Sequence, residues 1–161
     1  MPYRICKVFE IETAHMLTQH PEKCRFPHGH SRRVEVVLSA GELDAAGMVC
    51  DLKAIKLALA EFMDSFDHTI CMNSSDPLLP ELKKQPGARL IIYDNLDPTT
   101  EVLAKHMFDY IQATLKLDVV YPTAEGAPAY RIGQQVTLER VRVWETSSTW
   151  AEYSEDSAQQ Q

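Results

Sequence analysis

Residues 24–33 bring together one thiol, two imidazoles and three guanidinium groups in the segment CRFPHGHSRR. If His28 and His30 enter a β-strand, the two-residue period of a strand directs both side chains to the same face. His15 ends an earlier strand-like segment, and an antiparallel hairpin closed by residues 16–27 would bring it beside the pair. Three neutral imidazoles with an open fourth position are typical of catalytic zinc, which acts there as a Lewis acid. The spacing therefore predicts a Zn²⁺ site at His15, His28 and His30.

Other assignments of these side chains stay open on the sequence alone. His20 lies in the same connecting segment and competes as a ligand. A structural zinc site made by Cys24, His28 and His30 would fill the fourth position and leave the ion without a catalytic role. A surface loop whose histidines bind nothing is a third alternative. His106 falls on the apolar face of a predicted helix, and we expect it to pack in the core.

Hydrophobic periodicity predicts the elements that must position these residues. Residues 3–13 and 30–39 mix β-branched and aromatic residues with polar ones, which favours two strands. The glycines within 40–48 indicate a turn. Asp51 is the predicted N-cap of a first helix over residues 52–66, where apolar residues recur at helical spacing.

The middle of the chain is rich in proline. Residues 70–97 contain three prolines, which predict a long loop with one short strand at 89–93. A second helix is expected to begin directly after this loop, with Asp97 as its N-cap and Pro98 in its first position.

The last quarter of the chain returns to strand patterns. Residues 121–128 indicate another loop, and clean alternation predicts a strand over 135–145 with a short return strand at 149–153. The tail, 154–161, has little to bury, and we expect it to be disordered. We therefore predict a single domain over residues 1–153.

The order of these elements indicates the fold class. Strands and helices come in separate runs, which predicts an α+β fold with a four-stranded antiparallel sheet and two helices packed on one face. Such a sheet leaves two open edges, which must be blunted or paired with other subunits.

Composition excludes several classes of protein. The chain of 161 residues carries a net charge of −7, which argues against nucleic-acid binding because that function needs a basic surface. No apolar run approaches the roughly 20 residues that a membrane span requires, and the N-terminus lacks a signal-peptide pattern. The four cysteines form no C-x-x-C pair, so we expect reduced thiols and a cytoplasmic location.

Taken together, five segments resemble motifs of the 6-pyruvoyltetrahydropterin synthase and 6-carboxytetrahydropterin synthase family, in that family's order. They are FEIETAHML (9–17), CRFPHGH (24–30), FDHT (66–69), DPTTEVLAKHM (97–107) and VRVWET (141–146). The resemblance implies the tunnelling fold, in which subunits join their sheets edge to edge into rings, commonly hexamers. A homo-oligomer is therefore expected, and pairing between subunits would remove the open edges.

The resemblance also implies a role for individual residues and a substrate, 7,8-dihydroneopterin triphosphate. The implied metal ligands are His15, His28 and His30, the implied catalytic residues are Cys24, Asp67 and His68, and the implied substrate-binding residues are Glu145, Thr100 and Glu101. Cys24 would be the general base and proton carrier, in a relay completed by Asp67 and His68. Glu145 would anchor the pterin, because one carboxylate can accept two adjacent N–H donors.

Each implied role has a structural alternative. Glu101 would favour a helix N-terminus through the helix dipole alone. Asp67 and His68 would also suit an ordinary helix exit, Glu145 the rim of an outer strand, and Cys24 a thiol without function. Nearby basic residues are either triphosphate contacts or solvated surface charge. They are Lys23, Arg25, Arg32 and Arg33.

The spacing of the thiol and the first HGH histidine favours one branch of the family. Three residues separate Cys24 from His28, which is similar to the bacterial queuosine-pathway branch. That branch implies 6-carboxytetrahydropterin synthase activity, with release of acetaldehyde and triphosphate. Two alternatives remain: 6-pyruvoyltetrahydropterin synthase, which eliminates triphosphate and keeps the side chain, and a non-catalytic binding or assembly module stabilised by zinc.

Overall fold

The computed structural model describes residues 2–155, and within them eight strands and three α-helices form. In chain order they are β1 (Tyr3–His15), β2 (His28–Ala40), α1 (Leu52–Phe66), β3 (Thr69–Asn73), α2 (Leu79–Lys83), β4 (Leu90–Tyr93), α3 (Thr100–Lys116), β5 (Val120–Pro122), β6 (Pro128–Arg131), β7 (Thr137–Trp144) and β8 (Trp150–Tyr153). All but the first two residues of the predicted tail, 154–161, lie outside the described residues. No described helix is long and apolar enough to cross a membrane.

The main sheet has six strands in the order β4-β3-β1-β2-β7-β8. β1 pairs with β3 in parallel, and so does β3 with β4, whereas the other pairs are antiparallel. The α+β class is confirmed, but the predictions of four strands, of antiparallel pairing throughout and of two helices are wrong. The two further strands come from the segment that was expected to be mainly a loop, 70–97, and α2 lies in the crossover that parallel strands require.

Burial explains why β3 escaped the pattern analysis. Four of the five residues of Thr69–Asn73 are buried, so the strand shows no polar–apolar alternation. The short strand predicted at 89–93 does form, as β4. The second expected loop, 121–128, also contains strand residues, because β5 and β6 pair there as a separate two-stranded sheet.

The two long helices cover one face of the main sheet, as predicted. Alternate residues of β2 face them, and Val34, Val36 and Leu38 are fully buried. The apolar stripes of α1 and α3 complete this core. α1 spans the predicted residues, and its N-cap is Asp51, whose carboxylate accepts a hydrogen bond from the backbone N–H of Lys53.

The start of α3 differs from the prediction. Its N-cap is Thr99, whose hydroxyl accepts from the N–H of Val102, and the helix begins at Thr100. Asp97 makes other bonds: its carboxylate accepts from the backbone N–H groups of Thr18 and Gln19, at 3.1 and 2.9 Å. The carboxylate therefore fixes the chain after β1 instead of capping the helix.

Candidate metal centre

Three histidines meet where β1 ends and β2 begins. The antiparallel register sets His15 opposite His28 and Thr13 opposite His30, so the three imidazoles share the helix-covered face of the sheet. One nitrogen from each ring can be chosen such that all three atoms lie within 4.8 Å of one another. His15 is almost completely buried, whereas His28 and His30 are half-buried. The hairpin predicted from the sequence therefore brings its three histidines together.

Backbone carbonyl groups orient two of the rings. Nδ1 of His15 lies 2.8 Å from the carbonyl oxygen of Pro98, and Nδ1 of His28 lies 2.8 Å from that of Phe26. An Nδ1–H that donates to a carbonyl leaves Nε2 with its lone pair free, which is the usual arrangement of metal-binding histidine. Nε2 of His30 completes the group at 3.2 Å from Nε2 of His15.

The donor set fits a divalent transition metal. Burial, followed by the positive charge of Arg32, lowers the pKa of His30 to about 4, so this ring is neutral at pH 7 and can act as a ligand. Three imidazoles, two of them held by backbone carbonyl groups, suit zinc, and they leave at least one coordination position for another group.

A carboxylate lies beside the histidines. Oε1 of Glu145, the residue after β7, is 3.3 Å from Nε2 of His15 and 3.4 Å from Nε2 of His30. Contact with the ring of His15, followed by the charge of Arg32, lowers the pKa of Glu145 to about 2. The side chain is about one-third exposed, so an ionised acceptor stands at the border between the histidines and solvent.

Arg32 is the site residue whose position the sequence analysis did not predict. Surface charge and a phosphate contact were considered for it, yet its side chain is fully buried behind His15 and bonds to Thr100. The pattern held a signal for this, because Arg32 continues the alternation of His28 and His30 onto the helix-covered face.

Cys24 and His20 lie outside the group of three histidines whose nitrogens converge. Cys24 belongs to a single 3-10 turn, Lys23–Arg25, in the connection from β1 to β2, and its backbone oxygen accepts from the N–H of Leu17. Nδ1 of His20 accepts from the N–H of Glu22. The ring of His20 is therefore engaged within its own loop.

Asp67 and His68 lie beside the hairpin, directly after α1. The Asp67 carboxylate accepts from the N–H of Glu12 at 2.7 Å and from Nδ1 of His68 at 2.8 Å, and these bonds lower its pKa. His68 has a positive φ of 56° and a 76% exposed side chain. It borders a groove of about 390 Å³ that also contacts Gly29 and His30. No hydrogen bond found within residues 2–155 joins Cys24 to this pair.

The two remaining candidates occupy the first turn of α3. Thr100 is buried, and its hydroxyl accepts a hydrogen bond from Arg32 at 3.0 Å. Glu101 is exposed. The structure therefore connects Thr100, but not Glu101, to the histidines through Arg32.

Sequence relatives agree with the resemblance. The family model described as 6-pyruvoyl tetrahydropterin synthase matches residues 4–156. A 6-carboxy-5,6,7,8-tetrahydropterin synthase from Aquifex aeolicus is 29% identical over 97% of this chain and 100% of its own length. The enzyme of the same name from Rickettsia felis is 26% identical over 89% of this chain and 94% of its own.

Solved structures show the same fold. An uncharacterized protein from Wolinella succinogenes superimposes with a TM-score of 0.75 at 20% identity, over 97% of this chain and 99% of that one. A catalytic-residue mutant of Plasmodium vivax 6-pyruvoyltetrahydropterin synthase gives a TM-score of 0.69 at 12% identity over the same shares. Since the family model covers nearly the whole chain, the protein belongs to the 6-pyruvoyl tetrahydropterin synthase family of pterin-processing enzymes.

Proposed function

We propose that the protein is a zinc-dependent lyase that converts 7,8-dihydroneopterin triphosphate and one water molecule to 6-carboxy-5,6,7,8-tetrahydropterin, acetaldehyde and triphosphate. The observation that carries the proposal is the convergence of His15, His28 and His30 next to the ionised carboxylate of Glu145. A Lewis acid and a carboxylate receptor are the two groups that a pterin with an oxygenated side chain requires.

The three histidines would hold the metal through Nε2. When bound, zinc would supply Lewis-acid polarisation, which makes a C–H next to a side-chain oxygen more acidic. The carbonyl groups of Pro98 and Phe26 would keep the rings of His15 and His28 oriented throughout the reaction.

Glu145 would bind the pterin ring. A carboxylate accepts two adjacent N–H donors from the edge of the ring, which fixes its position and orientation. Thr100 and Glu101 belong to the same subsite in this proposal, Thr100 as the buried partner of Arg32 and Glu101 at the exposed rim.

Cys24 would take the proton from the substrate, and Asp67 with His68 would complete the relay. Within one chain no hydrogen bond of the described residues connects the thiol to the pair, while His68 is largely exposed. These features support a relay completed across a contact between two copies of the chain. The homo-oligomer implied by the family resemblance, commonly a hexamer, would provide such a contact.

Two observations favour the carboxy product over the pyruvoyl product. Cys24 and His28 are separated by three residues, and the curated relatives from Aquifex aeolicus and Rickettsia felis are both named 6-carboxy-5,6,7,8-tetrahydropterin synthase. We accordingly assign the protein to queuosine biosynthesis in the cytoplasm. 6-Pyruvoyltetrahydropterin synthase activity is the second candidate.

The decisive experiment incubates the zinc-loaded protein with 7,8-dihydroneopterin triphosphate and identifies the products by mass spectrometry. Acetaldehyde and a carboxypterin are expected, whereas a pyruvoyl product would establish the second candidate. Cys24→Ala should abolish turnover and leave folding and zinc content unchanged. Cys6→Ala, which removes an exposed thiol from β1, is the matched control and should retain activity.

Two results would overturn the assignment. A Cys24→Ala protein that loses its zinc would make the thiol a ligand and not a base. A zinc-loaded wild-type protein that yields neither product, but unfolds when zinc is removed, would indicate a non-catalytic module stabilised by the metal.

A further inference from the structure

A buried arginine stands behind the metal centre. Arg32 is the largest fully buried side chain among the described residues, with no exposed surface. It lies on β2 between His30 and Val34 on the helix-covered face, where the pattern of the strand predicts an apolar residue. A guanidinium in the core is costly unless its charge and its donors are matched, so its retention here calls for a function.

The contacts of Arg32 are few and converge on the site. Nη1 donates to the hydroxyl of Thr100 at 3.0 Å, and Nη2 lies 3.3 and 3.4 Å from the two nitrogens of the His15 ring. Near-equal distances to both nitrogens place Nη2 against the face of that ring, because an equidistant position in the ring plane would overlap the Cε1 carbon. Nε has no hydrogen-bond partner in the described residues.

One carboxylate approaches this charge. Oε1 of Glu145 lies 3.8 Å from Nη2 of Arg32, too far for a hydrogen bond and close enough for electrostatic attraction to the buried guanidinium. The register between β2 and β7 accounts for the pairing. Val34 pairs with Val143, and the same register continued by two residues sets Arg32 opposite Glu145.

We propose that Arg32 is a positioning and specificity-determining residue: it holds Thr100 and Glu145 as one receptor for the N–H edge of a pterin, and its charge weakens the binding of the metal alone. This inference rests on the proposed function for its pterin part only. The part that concerns the metal depends only on the place of the guanidinium against His15.

The two effects have different physical causes. The planar guanidinium donates to Thr100 while its charge attracts Glu145, and an ammonium on a flexible stem cannot do both with the same geometry. A fixed positive charge next to a ligand ring repels a divalent cation, and removing it would also leave Glu145 uncompensated beside the histidines. Loss of Arg32 should therefore weaken pterin binding and strengthen metal binding.

The test measures both affinities on the intact chain. Zinc affinity is determined by competition with a chromophoric chelator, starting from metal-free protein, and neopterin affinity by fluorescence titration of zinc-loaded protein. Arg32→Met should bind zinc about tenfold more tightly, because the repelling charge is gone, and neopterin at least about tenfold more weakly. Arg32→Lys, which keeps the charge, should change zinc affinity little and still weaken neopterin binding.

Control variants separate position from charge. Thr100→Val should weaken neopterin binding without strengthening zinc binding, because it removes only the acceptor. Arg4→Met removes an arginine that is paired with Glu139 near the other end of the sheet, and it should change neither affinity.

An increase in zinc affinity together with a decrease in neopterin affinity distinguishes the proposal from a purely structural role of Arg32. A structural role predicts that Arg32→Met weakens zinc and neopterin binding in parallel, together with a lower melting temperature, and that result would overturn the proposal. If Arg32→Met does not fold, unchanged neopterin binding by Arg32→Lys would overturn the proposal instead. Wild-type protein that binds no neopterin would count against the proposed function, and the zinc affinity of Arg32→Met would still decide the charge effect.

Discussion

Nδ1 of His15 lies 2.8 Å from the carbonyl oxygen of Pro98. This contact joins the last residue of β1 to the segment that leads into α3. The same segment holds the chain that follows β1, because the carboxylate of Asp97 accepts from the N–H groups of Thr18 and Gln19. The most buried of the three histidines therefore depends on residues that lie outside the histidine cluster.

Asp97→Ala should weaken zinc binding about tenfold. Without the carboxylate, two backbone donors and the amide of Asn73 lose their acceptor, and the carbonyl group behind His15 is free to move. The free energy of unfolding should fall by about 1–3 kcal/mol, since half-buried donors are left without partners. Chelator competition measures the affinity and urea denaturation the stability. Asp94→Ala, which removes an exposed carboxylate nearby, is the control, and equal losses in both variants would contradict the prediction.

Two of the four thiols should react fast with Ellman's reagent at pH 8, and the other two should react slowly. Cys6 is exposed to the reagent, although partial burial of its sulfur raises its pKa, and Cys24 is half-buried, whereas Cys50 and Cys71 are buried. Burial raises the pKa of Cys50 to about 11, so only about one molecule in a thousand carries the reactive thiolate at this pH. Burial raises the pKa of Cys71 as well. Cys24→Ala should leave one fast thiol, and a native protein with three or four fast thiols would contradict the assigned burial.

Local sequence patterns correctly predicted the hairpin that carries the three histidines, and they correctly predicted α1. Alternation set His28 and His30 on one face, and the hairpin that joins them to His15 needed only two strands close in sequence. α1 was predicted together with its N-cap for the same reason, since Asp51 and the helix it caps are adjacent. The roles of Cys24 and His68 stay predictions, because they concern chemistry and not position.

Features that depend on distant residues could not be predicted. Four of the five residues of β3 are buried, so the strand shows no alternation of polar and apolar residues. Its parallel pairing with β1 therefore could not be inferred from the sequence. Arg32 stands at a position of the β2 alternation that faces the helices, but its charge indicated a position on the surface. The groups that make its burial possible, Thr100 and Glu145, are far along the chain. Likewise Asp97 has the residue type of an N-cap, and bonds to the chain after β1 decide its actual role.

Glu145→Gln should weaken neopterin binding about 10- to 100-fold. The lowered pKa, about 2, means that the carboxylate is ionised from pH 5 to 8 and offers two acceptor oxygens, whereas the amide offers one. Fluorescence titration of zinc-loaded protein measures the loss. Glu139→Gln on β7, which removes a carboxylate paired with Arg4, should bind neopterin like the wild type. Undiminished affinity in Glu145→Gln would exclude this side chain as the pterin receptor.

Acid should destabilise the protein partly through His106. This ring packs against Phe62 and Phe66, and its Nδ1 lies within hydrogen-bond distance, 2.7 Å, of the hydroxyl oxygen of Tyr93. Burial lowers the pKa of His106 below its ordinary 6.5. The unfolded chain therefore binds a proton on this residue at a higher pH than the folded chain does. Stability is fully present above about pH 6.5 and is lost as the pH falls from there toward the folded-state pKa.

His106→Gln removes this titration, so its stability should depend less on pH than that of the wild type. At pH 8 the variant should be less stable by about 1–3 kcal/mol, because packing and the hydrogen-bond partner of Tyr93 are altered. Between pH 6.5 and 5 the difference in free energy of unfolding between the wild type and the variant should narrow, since only the wild type loses the contribution of a neutral His106. Urea denaturation at pH 8, 6.5 and 5 measures both curves. A difference that stays constant or widens on acidification would mean that His106 titrates alike in the folded and unfolded chains, or more readily in the folded one.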